Sequence, residues 1–156
     1  DKTDVSVPEI VHSVVDLYEI IAEDRHVTIH TRLPDELLIH ADRNRIRQIT
    51  ANLLDNAIKY SRPGGSIEIS AHENGPFAVI VVTDQGIGIA PEEINHIWDR
   101  LYRGDRSRSK RGLGLWLSLV RAIVEAHGGK VKVESRLDAG STYSVMLPKT
   151  DSLILN

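Results

Sequence analysis

Asn52, Asn56 and Lys59 follow one another at steps of four and three. On a helix that spacing gathers them into one stripe. A carboxamide offers a neutral oxygen to a hard cation and an N–H to phosphate, and an ammonium offers phosphate a point charge. The same stripe is also what an ordinary surface helix shows. Asp84 stands two residues before Gly86 and four before Gly88. A carboxylate there can accept a hydrogen bond from an exocyclic amine such as that of adenine, and the glycines let the backbone turn tightly and approach a flat ligand. An Asp-Gly pair after a strand is also a common plain turn. Gly112 and Gly114 open a helix, where bare backbone N–H groups and the helix dipole suit phosphate. They form no P-loop, since no Gly-Lys-Ser/Thr follows, and no strand leads into them as in a dinucleotide fingerprint. Between these glycine pairs, Asp99 to Gly112 carries Arg100, Arg103, Arg106, Arg108, Lys110 and Arg111 against Asp99 and Asp105, a net of +4. Such a segment is a solvated basic loop, a nucleic-acid contact, or a lid over an anion. A nucleic-acid surface calls for a wider basic field with interleaved aromatics, and only Tyr102 lies within this one.

The elements that must position these groups follow from the apolar periodicity. Ser6-Val7-Pro8-Glu9 reads as a capping box, opening a helix with Ile10, Val14, Leu17 and Ile21 on one face. Val27, Ile29, Thr31 and Leu33 alternate as a half-buried strand, and Leu37 to Ala41 form a short second one. Asp42 caps a helix running to about Tyr60, whose apolar face is Ile46, Ile49, Leu53, Ala57 and Tyr60. Arg62-Pro63-Gly64-Gly65 ends it. Ser66 to His72 alternate as a third strand. Phe77 to Val82 is an unbroken apolar run, suited to a central, well-covered strand. Pro91 starts a short helix to about Trp98, and Asp99 to Arg111 reads as a mobile loop. Gly112 to Val124 is a strongly apolar helix stopped by Gly128-Gly129. Lys130 to Ser135 and Thr142 to Leu147 are two alternating strands. Strands in pairs, separated by single helices, point to a mixed, largely antiparallel sheet with helices on one face: an α/β sandwich of two layers.

The bulk numbers exclude several classes. A net charge of −3 gives no general affinity for nucleic acid or anionic membrane. There is no Cys, hence no disulfide framework and no thiolate zinc site, which suits the cytosol. The seven histidines show no metal-ligand spacing. No apolar run reaches the length of a membrane span, and no signal-peptide pattern opens the chain. Without an initiator Met, the chain reads as a piece of something longer.

The order of the motifs carries more than any one of them. Asn52…Asn56…Lys59-Tyr60, Asp84-x-Gly86-x-Gly88, Ile97-Trp98-Asp99-Arg100-Leu101-Tyr102-Arg103, Gly112-x-Gly114 and Gly140-Ser141-Thr142-Tyr143 succeed one another. Together they resemble the N, G1, F and G2 boxes and the final strand start of the catalytic and ATP-binding domain of bacterial sensor histidine kinases. The resemblance spans about Pro8 to Pro148 and departs from the family at Trp116, where Gly or Ala is usual. It implies a domain over residues 1–150, of the Bergerat-type α+β sandwich with three main helices on one face and a mobile ATP lid, followed by a tail at 151–156 to which no role is assigned.

The resemblance also implies roles. Asp84 binds the adenine amine, and Gly86 and Gly88 shape the adenine side. Asn56 ligates Mg²⁺ on the phosphates, with Asn52 nearby. Lys59 and Arg103 contact phosphates, Tyr60 flanks the nucleotide, and Gly112 and Gly114 line the phosphate side. Superfamily members that hydrolyse ATP carry Glu where this chain has Asn52. Glu can take a proton from an attacking water and Asn cannot, so the implied activity is donation of the γ-phosphoryl to a partner. In the family the acceptor is a His on a dimerisation hairpin, followed by a response regulator downstream. No His here has the acceptor's setting, so this chain is expected to bind Mg²⁺-ATP without phosphorylating itself. The implied location is cytoplasmic, with a parent anchored in the inner membrane. The alternatives are a degenerate nucleotide-binding or docking module and a nucleic-acid binder on the basic loop.

Overall fold

The computed structural model describes residues 1–86 and 113–150, with backbone alone from 113 to 116. The elements in chain order are β1 (Thr3–Ser6), α1 (Val7–Asp24), β2 (Thr28–Arg32), β3 (Leu38–Ala41), α2 (Arg43–Tyr60), β4 (Ser66–Asn74), β5 (Phe77–Asp84), α3 (Leu113–Ala126), β6 (Lys130–Arg136) and β7 (Gly140–Pro148). Five strands form one sheet in the order β2-β4-β5-β7-β6. Only β2 and β4 are parallel, and the other three pairings are antiparallel. The three helices lie on one face, α1 over β2 and β4, α2 over β4 and β5, α3 over β6 and β7. This is the expected two-layer α/β sandwich.

The helix boundaries follow from local chemistry. Ser6 Oγ accepts from the Glu9 N–H and Pro8 sits in the first turn of α1, as its capping sequence requires. Asp42 caps α2 by accepting from the N–H groups of Asn44 and Arg45. Beneath the helices the strands present every second residue. Ile67, Ile69 and Ala71 of β4, Ala78, Ile80 and Val82 of β5, and Tyr143, Val145 and Leu147 of β7 are all buried. They meet Ile46, Ile49, Leu53, Ala57, Leu117, Val120 and Val124 from the helices.

Three expectations need correction. Thr3–Ser6 forms a strand, antiparallel to β3 in a separate two-stranded sheet, so Leu37 to Ala41 does not join the main sheet. In α1, Ile10 and Val14 are buried, but Leu17 and Ile21 are 61% and 45% exposed. The buried side of the helix instead runs through Val7, Val11, Val15 and Ala22. β5 is central, as read, yet its face away from the helices is covered unevenly: Val79 is buried, while Val81 and Thr83 are half-buried. The short helix after Pro91, the loop from Asp99 and the tail at 151–156 lie outside the described residues.

Candidate functional site

Five polar side chains are buried among the described residues: Thr50, Asn56, Ser61, Asp84 and Ser141. Thr50 and Ser61 spend their hydroxyls on the carbonyls of Ile46 and Ala57, one helical turn back, an ordinary way to satisfy a buried hydroxyl. The other three converge at one end of the sandwich. Asp84 continues the Ala78, Ile80, Val82 alternation of β5, so the pleat carries a carboxylate onto the face the helices cover. Directly across the sheet, Ser141 pairs with it, as Tyr143 pairs with Val82. The Asp84 carboxylate accepts from the Gly86 N–H at 2.9 Å and the Ser141 N–H at 3.2 Å, both on Oδ1. Oδ2 carries no partner among the described residues. Burial pushes the carboxyl above its ordinary range, and the two N–H groups offset part of that rise.

The stripe on α2 is graded in depth. Asn56 is buried, Asn52 half-buried and Lys59 exposed. Asn56 Nδ2 donates to the Tyr143 hydroxyl at 3.5 Å, the outer limit of a hydrogen bond, which leaves the carboxamide oxygen as an acceptor. Burial, with the Asp84 carboxylate adding to it, raises the Tyr143 phenol well above its usual range, so it stays protonated. Tyr143 thus stands between Asn56 and Asp84. Lys59 Nζ is paired with Asp55 at 3.0 Å. Tyr60, at the last turn of α2, has its phenol pushed up to about 12 by burial.

Two glycines clamp this end. A Cβ on Gly86 would fall 2.1 Å from the Tyr60 carbonyl oxygen, so glycine lets the chain after β5 lie against the end of α2. A Cβ on Gly140 would fall 2.1 Å from the Asp84 carbonyl oxygen, and Gly140 has φ of +95°. The opposite ends of α2 and α3 meet through His127, whose Nε2 accepts from the Asp42 N–H while its Nδ1 donates to the Ile123 carbonyl. The two helices therefore run antiparallel, and the start of α3, with Gly114 in its first turn, lies toward the Asp84 end.

Of the expected site residues, Asn52, Asn56, Lys59, Tyr60, Asp84 and Gly86 are brought to this end together. Gly88, Arg103 and Gly112 lie outside the described residues. Gly140, Ser141 and Tyr143 belong to the cluster, yet in the sequence they stood only as a strand-start motif. The signal was present in the Gly140-Ser141-Thr142-Tyr143 run, but nothing local says that it faces Asp84. Among the described residues no group of three or more His, Cys, Asp or Glu side chains is placed to hold a metal, and no helix is long and apolar enough to cross a membrane.

Residues 41–151 match the family described as histidine kinase-, DNA gyrase B-, and HSP90-like ATPase. The chain is 36% identical over 150 residues to the sensor-like histidine kinase SenX3 of Mycobacterium tuberculosis, covering 95% of this chain and 37% of SenX3. It therefore spans little more than a third of the length of that relative. The catalytic domain of histidine kinase ThkA superposes with a TM-score of 0.86 at 28% identity, over 96% of this chain and 97% of that one. ThkA is also known in complex with the response regulator TrrA. Full-length ShkA, in complex with AMPPNP, superposes with a TM-score of 0.85 at 25% identity, over 97% of this chain and 32% of ShkA. A sandwich of this topology, closed at one end by Asp84, Asn56 and Ser141, belongs to the histidine kinase-, DNA gyrase B- and HSP90-like ATPase family, in the form found as the catalytic domain of sensor histidine kinases.

Proposed function

We propose that this domain binds Mg²⁺-ATP and donates the γ-phosphoryl to a histidine on the dimerisation domain of a two-component sensor kinase. The observation that carries this reading is the Asp84 carboxylate, buried, held through Oδ1 by two backbone N–H groups, with Oδ2 left to accept from a ligand. ShkA with AMPPNP and ThkA with TrrA are consistent with it.

In this reading Oδ2 of Asp84 takes the adenine amine and Tyr60 flanks the nucleotide. Gly86 and Gly88 shape the adenine side, and Gly112 and Gly114 the phosphate side. Lys59 exchanges Asp55 for a phosphate oxygen, and Arg103 joins it there. The carboxamide oxygen of Asn56, with Asn52 nearby, would hold Mg²⁺, a hard cation that suits a neutral oxygen ligand. Bound there, Mg²⁺ would supply neutralisation of the phosphate charge. The reaction is an in-line displacement: the bond from the γ-phosphorus to the bridging oxygen breaks, a bond to an imidazole nitrogen forms, and ADP leaves. The chain positions and neutralises rather than activating water, because Asn52 cannot act as a base. The partners are the acceptor-bearing dimerisation domain of the parent and a downstream response regulator, in the cytoplasm.

The test is transfer in trans. Incubated with Mg²⁺ and γ-labelled ATP, the chain alone acquires no phosphohistidine, and with a separate histidine-bearing hairpin the label moves to the hairpin. Nucleotide binding without transfer would assign it to a degenerate module instead. Asn56→Ala should lose the Mg²⁺-dependent part of ATP affinity, by about tenfold or more, while Mg²⁺-free adenosine binding stays unchanged. Tyr143→Phe leaves the ring in the core but deprives Asn56 of its acceptor, a change of about 1 kcal/mol. A several-fold weaker Mg²⁺ dependence is expected with the melting temperature lowered by only about 2–4 °C; titrations matching the parent would remove Tyr143 from the site.

A further inference from the structure

The solvent side of α1 is not explained by the fold. Leu17, Ile20 and Ile21 are 61%, 70% and 45% exposed and lie at i, i+3 and i+4, one contiguous aliphatic stripe. Around it stand Asp16, Glu19, Glu23 and Asp24, all exposed, on a helix without a Lys or Arg. None of these four carboxylates has an ion-pair partner among the described residues. Glu23 and Asp24 occupy the last turn, where the helix dipole disfavours anions, so their charge works against the helix that carries them. Beside them a cavity of about 210 Å³ opens between α1 and β2, lined by Glu19, Ala22, Glu23, Val27, Thr28 and Ile29.

We propose that this stripe is a docking surface for a cationic amphipathic helix. Aliphatic residues of the partner cover Leu17, Ile20 and Ile21. Lysine or arginine residues on its flanks meet the acidic rim, one of them entering the cavity beside Glu19 and Glu23. This is the helix-on-groove mode of recognition, with charge-assisted hydrogen bonds at its edge. The acidic rim selects among occupants. A second copy laid on the same face brings carboxylates against carboxylates, and an anionic lipid surface is repelled. Only a cationic partner turns the unpaired charge to advantage.

The probe is a synthetic amphipathic helix of leucine and lysine, titrated into the isotopically labelled domain and followed by NMR. Shifts are expected at Leu17–Asp24 and Val27–Ile29, with affinity falling as salt is raised. A Leu17→Ser/Ile20→Ser pair and, separately, a Glu19→Gln/Glu23→Gln pair should each weaken binding about tenfold. All four positions are exposed, so both variants keep the fold. Shifts confined to other surfaces, or unchanged affinity in either pair, overturn the proposal. So does equal binding of a leucine-glutamate helix. Self-association abolished by Ile20→Ser would assign the stripe to a second copy, and binding to anionic vesicles would assign it to lipid; either result also overturns it.

Discussion

Asp84→Asn should leave the domain folded and remove most of its affinity for adenine nucleotides. The asparagine carbonyl can take the place of Oδ1 and keep both bonds, from the Gly86 and Ser141 N–H groups. The amide nitrogen then stands where Oδ2 stood, and offers a donor to a ligand amine that needs an acceptor. The loss is one charge-assisted hydrogen bond plus an unpaired donor, about 1.5–3 kcal/mol, or roughly 10- to 100-fold in Kd. Stability should move the other way. Burial raises the Asp84 carboxyl above its ordinary range in the folded state, so the folded protein binds that proton more tightly than the unfolded chain. Stability from this group is therefore present below the ordinary carboxylate range and is lost as pH rises through the raised folded value. The Asn variant lacks that slope. Calorimetric titration with ADP and melts across pH read the two effects separately. A variant that melts like the parent and binds ADP equally well would remove Asp84 from the adenine site.

Much of this arrangement is written locally. The caps at Ser6 and Asp42, the period of Ile46, Ile49, Leu53 and Ala57, and the alternation of Ile67, Ile69 and Ala71 each need only neighbouring residues, and the structure has all of them. What local pattern cannot carry is pairing at a distance. β1 is four residues long and gains its strand character from β3, with Thr3 opposite Ala41. The inward side of α1 is decided by where β2, β4 and α2 lie, and so Leu17 and Ile21 continue an apolar spacing that the core does not use. The site divides in the same way. Asn56 and Asp84 were visible as residue types at telling positions. That Ser141 steadies Asp84 and Tyr143 meets Asn56 depends on β7 lying beside β5, which follows from the sheet order and not from either segment.

That dependence makes Gly140 the residue where one substitution should cost most. Its φ of +95° already disfavours any side chain, at about 1–2 kcal/mol. A Cβ there would also stand 2.1 Å from the Asp84 carbonyl oxygen, 2.9 Å from its carbonyl carbon and 3.0 Å from Gln85 Cα. All three are backbone atoms, so no rotamer relieves the overlap, and the start of β7 must move away from the end of β5. That movement parts the Asp84–Ser141 pair and withdraws the Ser141 N–H from the carboxylate. Gly140→Ala should therefore lose about 3–5 kcal/mol, roughly 10 °C or more in melting temperature for a chain of this size, and nucleotide affinity with it. Gly64 is the control. It has φ of +85° but nothing within 4 Å of a built Cβ, so Gly64→Ala carries the backbone strain without the collision and should cost only about 1 kcal/mol. If the two variants melt together, the close approach of β7 to Asp84 is not what holds this end of the sandwich. If Gly140→Ala alone falls, the carboxylate owes its position to the missing side chain across the sheet.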